Sequence, residues 1–147
     1  MRWLAFLLLA ACGASLRPAV VAHDERTVER LAGHDLAVVT GLRSSDEMFD
    51  LAFAAEGWRA AFLDRTKLAI APGVHTIFYR TAVLTLVTHK LVFADERSPA
   101  HAACFRGKKG SFCVLVPLVA MDAAGLVRRL RGEMGEERWT VIEPGAK

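Results

Sequence analysis

The residues able to do chemistry are few and scattered. Five histidines, His23, His34, His75, His89 and His101, are the natural proton carriers and metal ligands. Their spacing builds neither an H-x-x-x-H nor an H-E-x-x-H arrangement, so no metal site is read from it. His75 follows a Pro72-Gly73 turn and reads as a hydrogen-bonded turn or strand residue. His23-Asp24-Glu25 and His34-Asp35 read as exposed polar punctuation. No G-x-S-x-G elbow is present, and Ser111 beside Phe112 reads as a hairpin residue. Carboxylates lie in mixed-charge stretches such as Glu133-Met134-Gly135-Glu136-Glu137, the pattern of a solvated face. On this reading the chain has no catalytic residues, no metal ligands and no cofactor, and it is not an enzyme.

The cysteines are more informative. Cys104 and Cys113 flank Phe105-Arg106-Gly107-Lys108-Lys109-Gly110-Ser111-Phe112, which folds onto itself symmetrically about Lys108-Lys109. Glycines beside the tip permit the dihedrals of a tight reversal. Hydrogen-bonded and non-hydrogen-bonded pairs alternate outward from a two-residue loop. Cys104 therefore faces Cys113 in a non-hydrogen-bonded pair, close enough for a disulfide in an oxidising compartment. Two free buried thiols are the competing reading. Lys108-Lys109 and the Arg128, Arg129, Arg131 cluster read as solubilising charge, with anionic lipid headgroups as the alternative contact.

The third cysteine closes the amino-terminal leader. Arg2 precedes an apolar run, Trp3 to Ala11, that ends in Leu9-Ala10-Ala11-Cys12. A run this short falls well below the roughly 20 apolar residues of a spanning helix. The four residues resemble the bacterial lipobox. The resemblance implies cleavage before Cys12, transfer of diacylglycerol to its thiol and anchoring by acyl chains. Gly13 in place of aspartate implies sorting to the outer membrane, facing the periplasm. An ordinary secretory signal and a cytosolic domain with a buried amino terminus are the alternatives.

The elements that position these residues come from a single domain of 147 residues, with 53% apolar and 24% charged residues. The expected divisions are a signal peptide at 1–11, a lipid-attached tether at 12–23 and one globular β-rich domain at 24–147. The 19 basic and 16 acidic residues give a net charge of +3, too small a surplus to predict a nucleic-acid partner. A short helix is possible over residues 24–33. Leu36 to Thr40, Lys67 to Ala71, Val74 to Arg80, Val83 to Phe93, Val114 to Val119 and Trp139 to Ile142 read as strands. Residues 44–62 carry conflicting signals. Ser44-Ser45-Asp46-Glu47 resembles a capping box, while Phe49, Leu51 and Phe53 alternate as in a strand. A hairpin turning at Glu56-Gly57 is the preferred reading. Residues 122–134 read as a helix with an apolar stripe at Ala123, Leu126, Val127, Leu130 and Met134.

Ala71-Pro72-Gly73-Val74-His75-Thr76, Gly107 to Phe112 and Trp139-Thr140-Val141-Ile142 are similar to segments of a class of small bacterial lipoproteins. That resemblance implies a small β-sandwich of the prealbumin or immunoglobulin type without assigned activity. The expected fold is therefore mainly β (α+β), a small sandwich with one or two short helices. The expected function is a membrane-anchored periplasmic lipoprotein with a non-catalytic binding or structural role. Its partners would be membrane lipid through Cys12 and an envelope protein or glycan, with no nucleic acid. The alternatives are a small periplasmic enzyme or metal-binding protein using His75, His89 and His101, and an unprocessed cytosolic domain.

Overall fold

The computed structural model describes residues 18–61, 74–136 and 138–144. The leader, the Cys12 position and the strand expected at Lys67 to Ala71 lie outside the described residues. The elements run β1 (Ala19–Ala22), α1 (Thr27–Leu31), β2 (Leu36–Leu42), α2 (Ser45–Ala54), β3 (Trp58–Ala61) and β4 (Val74–Arg80). There follow β5 (Thr85–Phe93), β6 (Pro99–Gly107), β7 (Gly110–Pro117), α3 (Ala123–Met134) and β8 (Trp139–Val141). Among the described residues the chain is mainly β, with two four-stranded sheets ordered β1-β2-β4-β3 and β5-β6-β7-β8.

The topology departs from the prealbumin or immunoglobulin expectation at two places. β1 pairs with β2 in parallel, Val20 opposite Val38, and β7 pairs with β8 in parallel, Cys113 opposite Trp139. Parallel neighbours need a crossover, and here α1 and α3 supply it. The chain therefore contains two β-α-β units, and the antiparallel plan of an immunoglobulin-type domain does not describe it. β1 also begins within the segment expected to serve as a lipid tether. Its sequence, AVVA, is apolar because Val21 packs under α1 and β2.

Three buried clusters follow from strand alternation. One draws Leu36, Val38, Ile77 and Tyr79 from the first sheet together with Ala103, Phe105, Val114 and Val116 from the second. Phe105 lies between Tyr79, at 5.3 Å between ring centroids, and Phe112, at 5.7 Å. On the other face of the first sheet, Ala37, Val39 and Phe78 meet Leu31 of α1, Met48 and Leu51 of α2, and Ala55 just after it. On the other face of the second sheet, Ala102 and Leu115 meet Ala123, Leu126, Val127 and Leu130 of α3. Helices therefore cover the two sheet faces opposite the shared cluster.

Ser45–Ala54 form α2 and Trp58–Ala61 form β3, which corrects the hairpin expected over 44–62. Ser44 is the N-cap, and its Oγ accepts the Glu47 N–H at 3.2 Å. That bond satisfies a donor which the first helical turn leaves open. The alternation that looked like a strand is a helical i, i+4 pair: Phe49 and Phe53 face solvent while Leu51 is buried. α3 forms as its stripe predicts. Asp122 Oδ1 accepts the Gly125 N–H at 3.1 Å, and Gly135 closes the helix in the left-handed region at φ 69°.

Candidate functional site

Strand direction defines two ends of the molecule. Asp35 just before β2, Gly110 at the start of β7 and Arg138 just before β8 line one cavity. The amino ends of these strands therefore converge there, and their carboxyl ends point the other way. Ligands of α/β sheets bind outside the carboxyl ends of parallel strands, where loops are free to vary. Leu42, Pro117 and Val141 mark that end here, together with Ala22 through the parallel β1–β2 ladder.

The first sheet delivers His23, Arg43 and Glu47 to this end. His23 follows β1 directly and is fixed by its backbone, whose N–H donates to Thr40 O at 2.8 Å. Its Nδ1 faces Glu47 Oε2 at 3.8 Å. Glu47 is oriented from three sides. Its Oε2 accepts the Arg43 N–H at 2.7 Å, its Oε1 faces Arg43 Nε at 3.4 Å, and its own N–H is held by Ser44. The Arg43 backbone donor, above all, holds the Glu47 carboxyl below its ordinary range; the Arg43 and His23 side chains pull the same way against partial desolvation. Gly41, at φ 81°, lies between Thr40 and Leu42, where the β2–β4 register shifts. The left-handed conformation lets β2 bend into the Arg43–Glu47 turn, and a side chain there would be strained.

The second sheet contributes His101 and His89. His101 is opposite Val116, one residue from the end of β7, and is buried. Its Nε2 lies 3.4 Å from His89 Nδ1, with the rings 5.5 Å apart. Burial pushes His89 down from the ordinary histidine range, so its neutral form is favoured.

Of the three histidines grouped in the metal-binding alternative, His89 and His101 come together. His75 lies in β4, and its side chain is outside the described residues. His34 serves through its backbone oxygen, which accepts Arg80 Nε at 3.2 Å. Among the described residues no group of three or more His, Cys, Asp or Glu is placed to hold a metal ion. The same residues contain no helix long and apolar enough to cross a membrane.

The reading of His23-Asp24-Glu25 as mere punctuation missed the first of these groups. One signal was present: the Ser44 to Glu47 capping box fixes Glu47 beside the end of β2. The parallel β1–β2 pairing that brings His23 to it is long-range and carries no local signature.

Cys104 and Cys113 are opposite each other in the β6–β7 ladder, with Cα atoms 4.0 Å apart and sulfurs 2.03 Å apart. The Cys113 N–H donates to Arg138 O at 2.8 Å, away from β6. The pair is thus of the non-hydrogen-bonded kind, which brings Cα atoms closest.

No family model and no curated protein matches the sequence. Solved structures do resemble the fold. An endonuclease/exonuclease/phosphatase family protein from Bacteroides thetaiotaomicron superposes with a TM-score of 0.63 at 15% identity, over 87% of this chain and 60% of that one. The mannosyl-6-phosphatase Bt3783 of the same organism gives 0.62 at 16% identity, over 88% and 64%. TDP2 of D. rerio, solved with single-strand DNA product, gives 0.51 at 11% identity, over 78% and 49%. The chain spans about half to two thirds of the length of these structures. Two expectations are corrected by these matches. A non-catalytic, non-enzymatic binding domain was expected, yet the fold is shared with endonuclease/exonuclease/phosphatase structures. A nucleic-acid partner was excluded on net charge, yet the same fold holds DNA in TDP2. At these identities the likeness establishes one thing: the chain has the fold of endonuclease/exonuclease/phosphatase structures.

Proposed function

We propose that this chain is a phosphoester-cleaving domain that works at the carboxyl ends of its sheets. The observation that carries the reading is the fold shared with the Bacteroides phosphatase and its family neighbour. The two sheets, sharing one buried cluster, are read as the layers of a β-sandwich flanked by helices.

His23, Glu47 and Arg43 supply the chemistry. Hydrolysis of a phosphoester needs a base for the attacking water and positive charge for the phosphate oxygens. Glu47 faces His23 Nδ1, which leaves Nε2 for the water. The water oxygen bonds to phosphorus as the ester P–O bond breaks. The water proton passes to His23, and the leaving oxygen takes a proton from solvent. The Arg43 guanidinium, beside Glu47 and largely exposed, neutralises the phosphate. Substrates are phosphomonoesters or phosphodiesters, nucleic-acid ends included.

The leader implies where this happens. A lipobox ending at Cys12 tethers the domain to the outer membrane on its periplasmic side, with residues 1–11 removed as signal peptide and the Cys104–Cys113 bridge formed in the oxidising periplasm. Mass spectrometry of the mature amino terminus tests this, and a diacylglyceryl group on Cys12 is the expected result. The activity is tested with p-nitrophenyl phosphate and bis-p-nitrophenyl phosphate, with and without added divalent cation. Turnover that the paired change His23→Gln and Glu47→Gln removes is expected.

A further inference from the structure

The opposite end of the molecule carries a second site. A cavity of about 150 Å³ opens at the amino ends of β2, β7 and β8. Its floor is apolar, built from Val83, Leu84 and the half-buried Phe112, which stacks on Phe105. Its rim is cationic, with Lys108 and Lys109 at the hairpin tip and Arg138 before β8.

The arrangement is built rather than incidental. Both Nε and Nη2 of Arg138 donate to Ser111 O, which aims the guanidinium at the mouth of the hairpin. A Cβ on Gly110 would lie 3.1 Å from Arg138 Nη2, so the absent side chain makes room for that approach. With two nitrogens committed to Ser111, Nη1 remains for an anion. Among the described residues Asp35 is the one acid in the lining, and its carboxylate is answered by Arg80 Nε at 3.7 Å. The Cys104–Cys113 pair ties the two strands that present the lysines. A cationic rim over an apolar floor selects an anion that carries an apolar body.

We propose that this cavity binds a phosphate monoester attached to an apolar group, with Lys108, Lys109 and Arg138 holding the phosphate and Leu84 and Phe112 covering the apolar part. The ligand is either free in solution or a phosphate headgroup in a bilayer. The site is separate from the His23–Glu47 end and does not rest on the catalytic reading.

The test uses the full processed chain and the non-hydrolysable probe hexylphosphonate, followed by amide NMR and calorimetry. Shifts centred on Lys108, Lys109, Gly110 and Arg138 are expected. Methylphosphonate should bind roughly tenfold or more weakly, because the apolar arm is lost. Lys108→Glu combined with Lys109→Glu, and separately Arg138→Gln, should each weaken hexylphosphonate roughly tenfold or more. Affinity is read from the shifts of Lys108, Lys109, Gly110 and Arg138, so binding of the probe at the His23–Glu47 end does not enter it. Vesicles of phosphatidylcholine doped with phosphatidic acid distinguish the sources. Shifts at Lys108, Lys109 and Arg138 that are larger with the doped vesicles than with soluble hexylphosphonate assign a headgroup, and the reverse assigns a free ligand; vesicles of phosphatidylcholine alone give the background from the Cys12 acyl chains. Equal affinity for hexyltrimethylammonium, no shifts at Lys108, Lys109, Gly110 and Arg138, or unchanged affinity in both rim variants would overturn the proposal.

Discussion

Glu47 belongs to the first turn of α2, yet its carboxylate reaches His23, the residue that follows β1, with Oε2 and Nδ1 3.8 Å apart. One carboxylate thereby joins a helix start to the end of the neighbouring parallel strand. Because Arg43 and His23 hold it ionised in the folded state, its contribution to stability has a defined pH dependence. The folded pKa lies below the ordinary 4.5, so the stabilisation is present above that pH and is lost as pH falls through the folded value. Urea unfolding of wild type and Glu47→Gln from pH 7 downward should show the two curves converging in the acid range.

The Ser44 cap is tested separately. Ser44→Ala removes the acceptor for the Glu47 N–H and should cost about 0.5–2 kcal/mol, read from the urea midpoint. It should also lower phosphoester turnover, because Glu47 loses one of its restraints.

His89 gives a second pH signature. Burial lowers its folded pKa, so the unfolded chain takes up the proton first as pH falls. Stability is fully present above the ordinary value of 6.5 and declines as pH drops from there toward the folded pKa. His89→Gln should flatten this part of the stability–pH profile.

How much of this was legible in the sequence depends on the range of each interaction. Asp122, the Leu126-Val127-Leu130 stripe and Gly135 announce α3, because cap, stripe and stop are all local. The Cys104–Cys113 register is equally local, set by a two-residue turn at Lys108-Lys109. In α2 two local signals competed. The cap at Ser44 prevailed because burying Met48, Leu51 and Ala55 on one helical face outweighs leaving Phe49 and Phe53 in solvent. The parallel pairings of β1 with β2 and β7 with β8 were not legible. A strand of four residues, AVVA, or of three, WTV, says nothing about its partner's direction. The His23–Glu47 grouping depends on the β1–β2 pairing and stayed hidden with it, whereas His89 and His101 meet across the antiparallel β5–β6 pair, whose register alone decides it.

The cysteine pair closes a short loop, with a sequence separation of 9. Replacing both with alanine, or reducing them, should cost about 2–4 kcal/mol, since the unfolded chain regains the freedom of that loop. Thiol titration of protein from the periplasm should find Cys104 and Cys113 unreactive until reductant is added.

Leu130 is fully buried between α3 and the second sheet. Leu130→Ala should destabilise by about 2–5 kcal/mol and, by loosening the crossover between β7 and β8, shift the amide signals of Trp139–Val141.

The most direct measurement is hydrolysis of p-nitrophenyl phosphate and bis-p-nitrophenyl phosphate by the purified processed chain, beside the paired His23→Gln, Glu47→Gln variant shown to be folded by circular dichroism. The roles given to His23 and Glu47 require turnover of at least one ester by wild type and its loss in the variant. Turnover indistinguishable between the two proteins, or no hydrolysis of either ester by wild type under any cation condition, would contradict them.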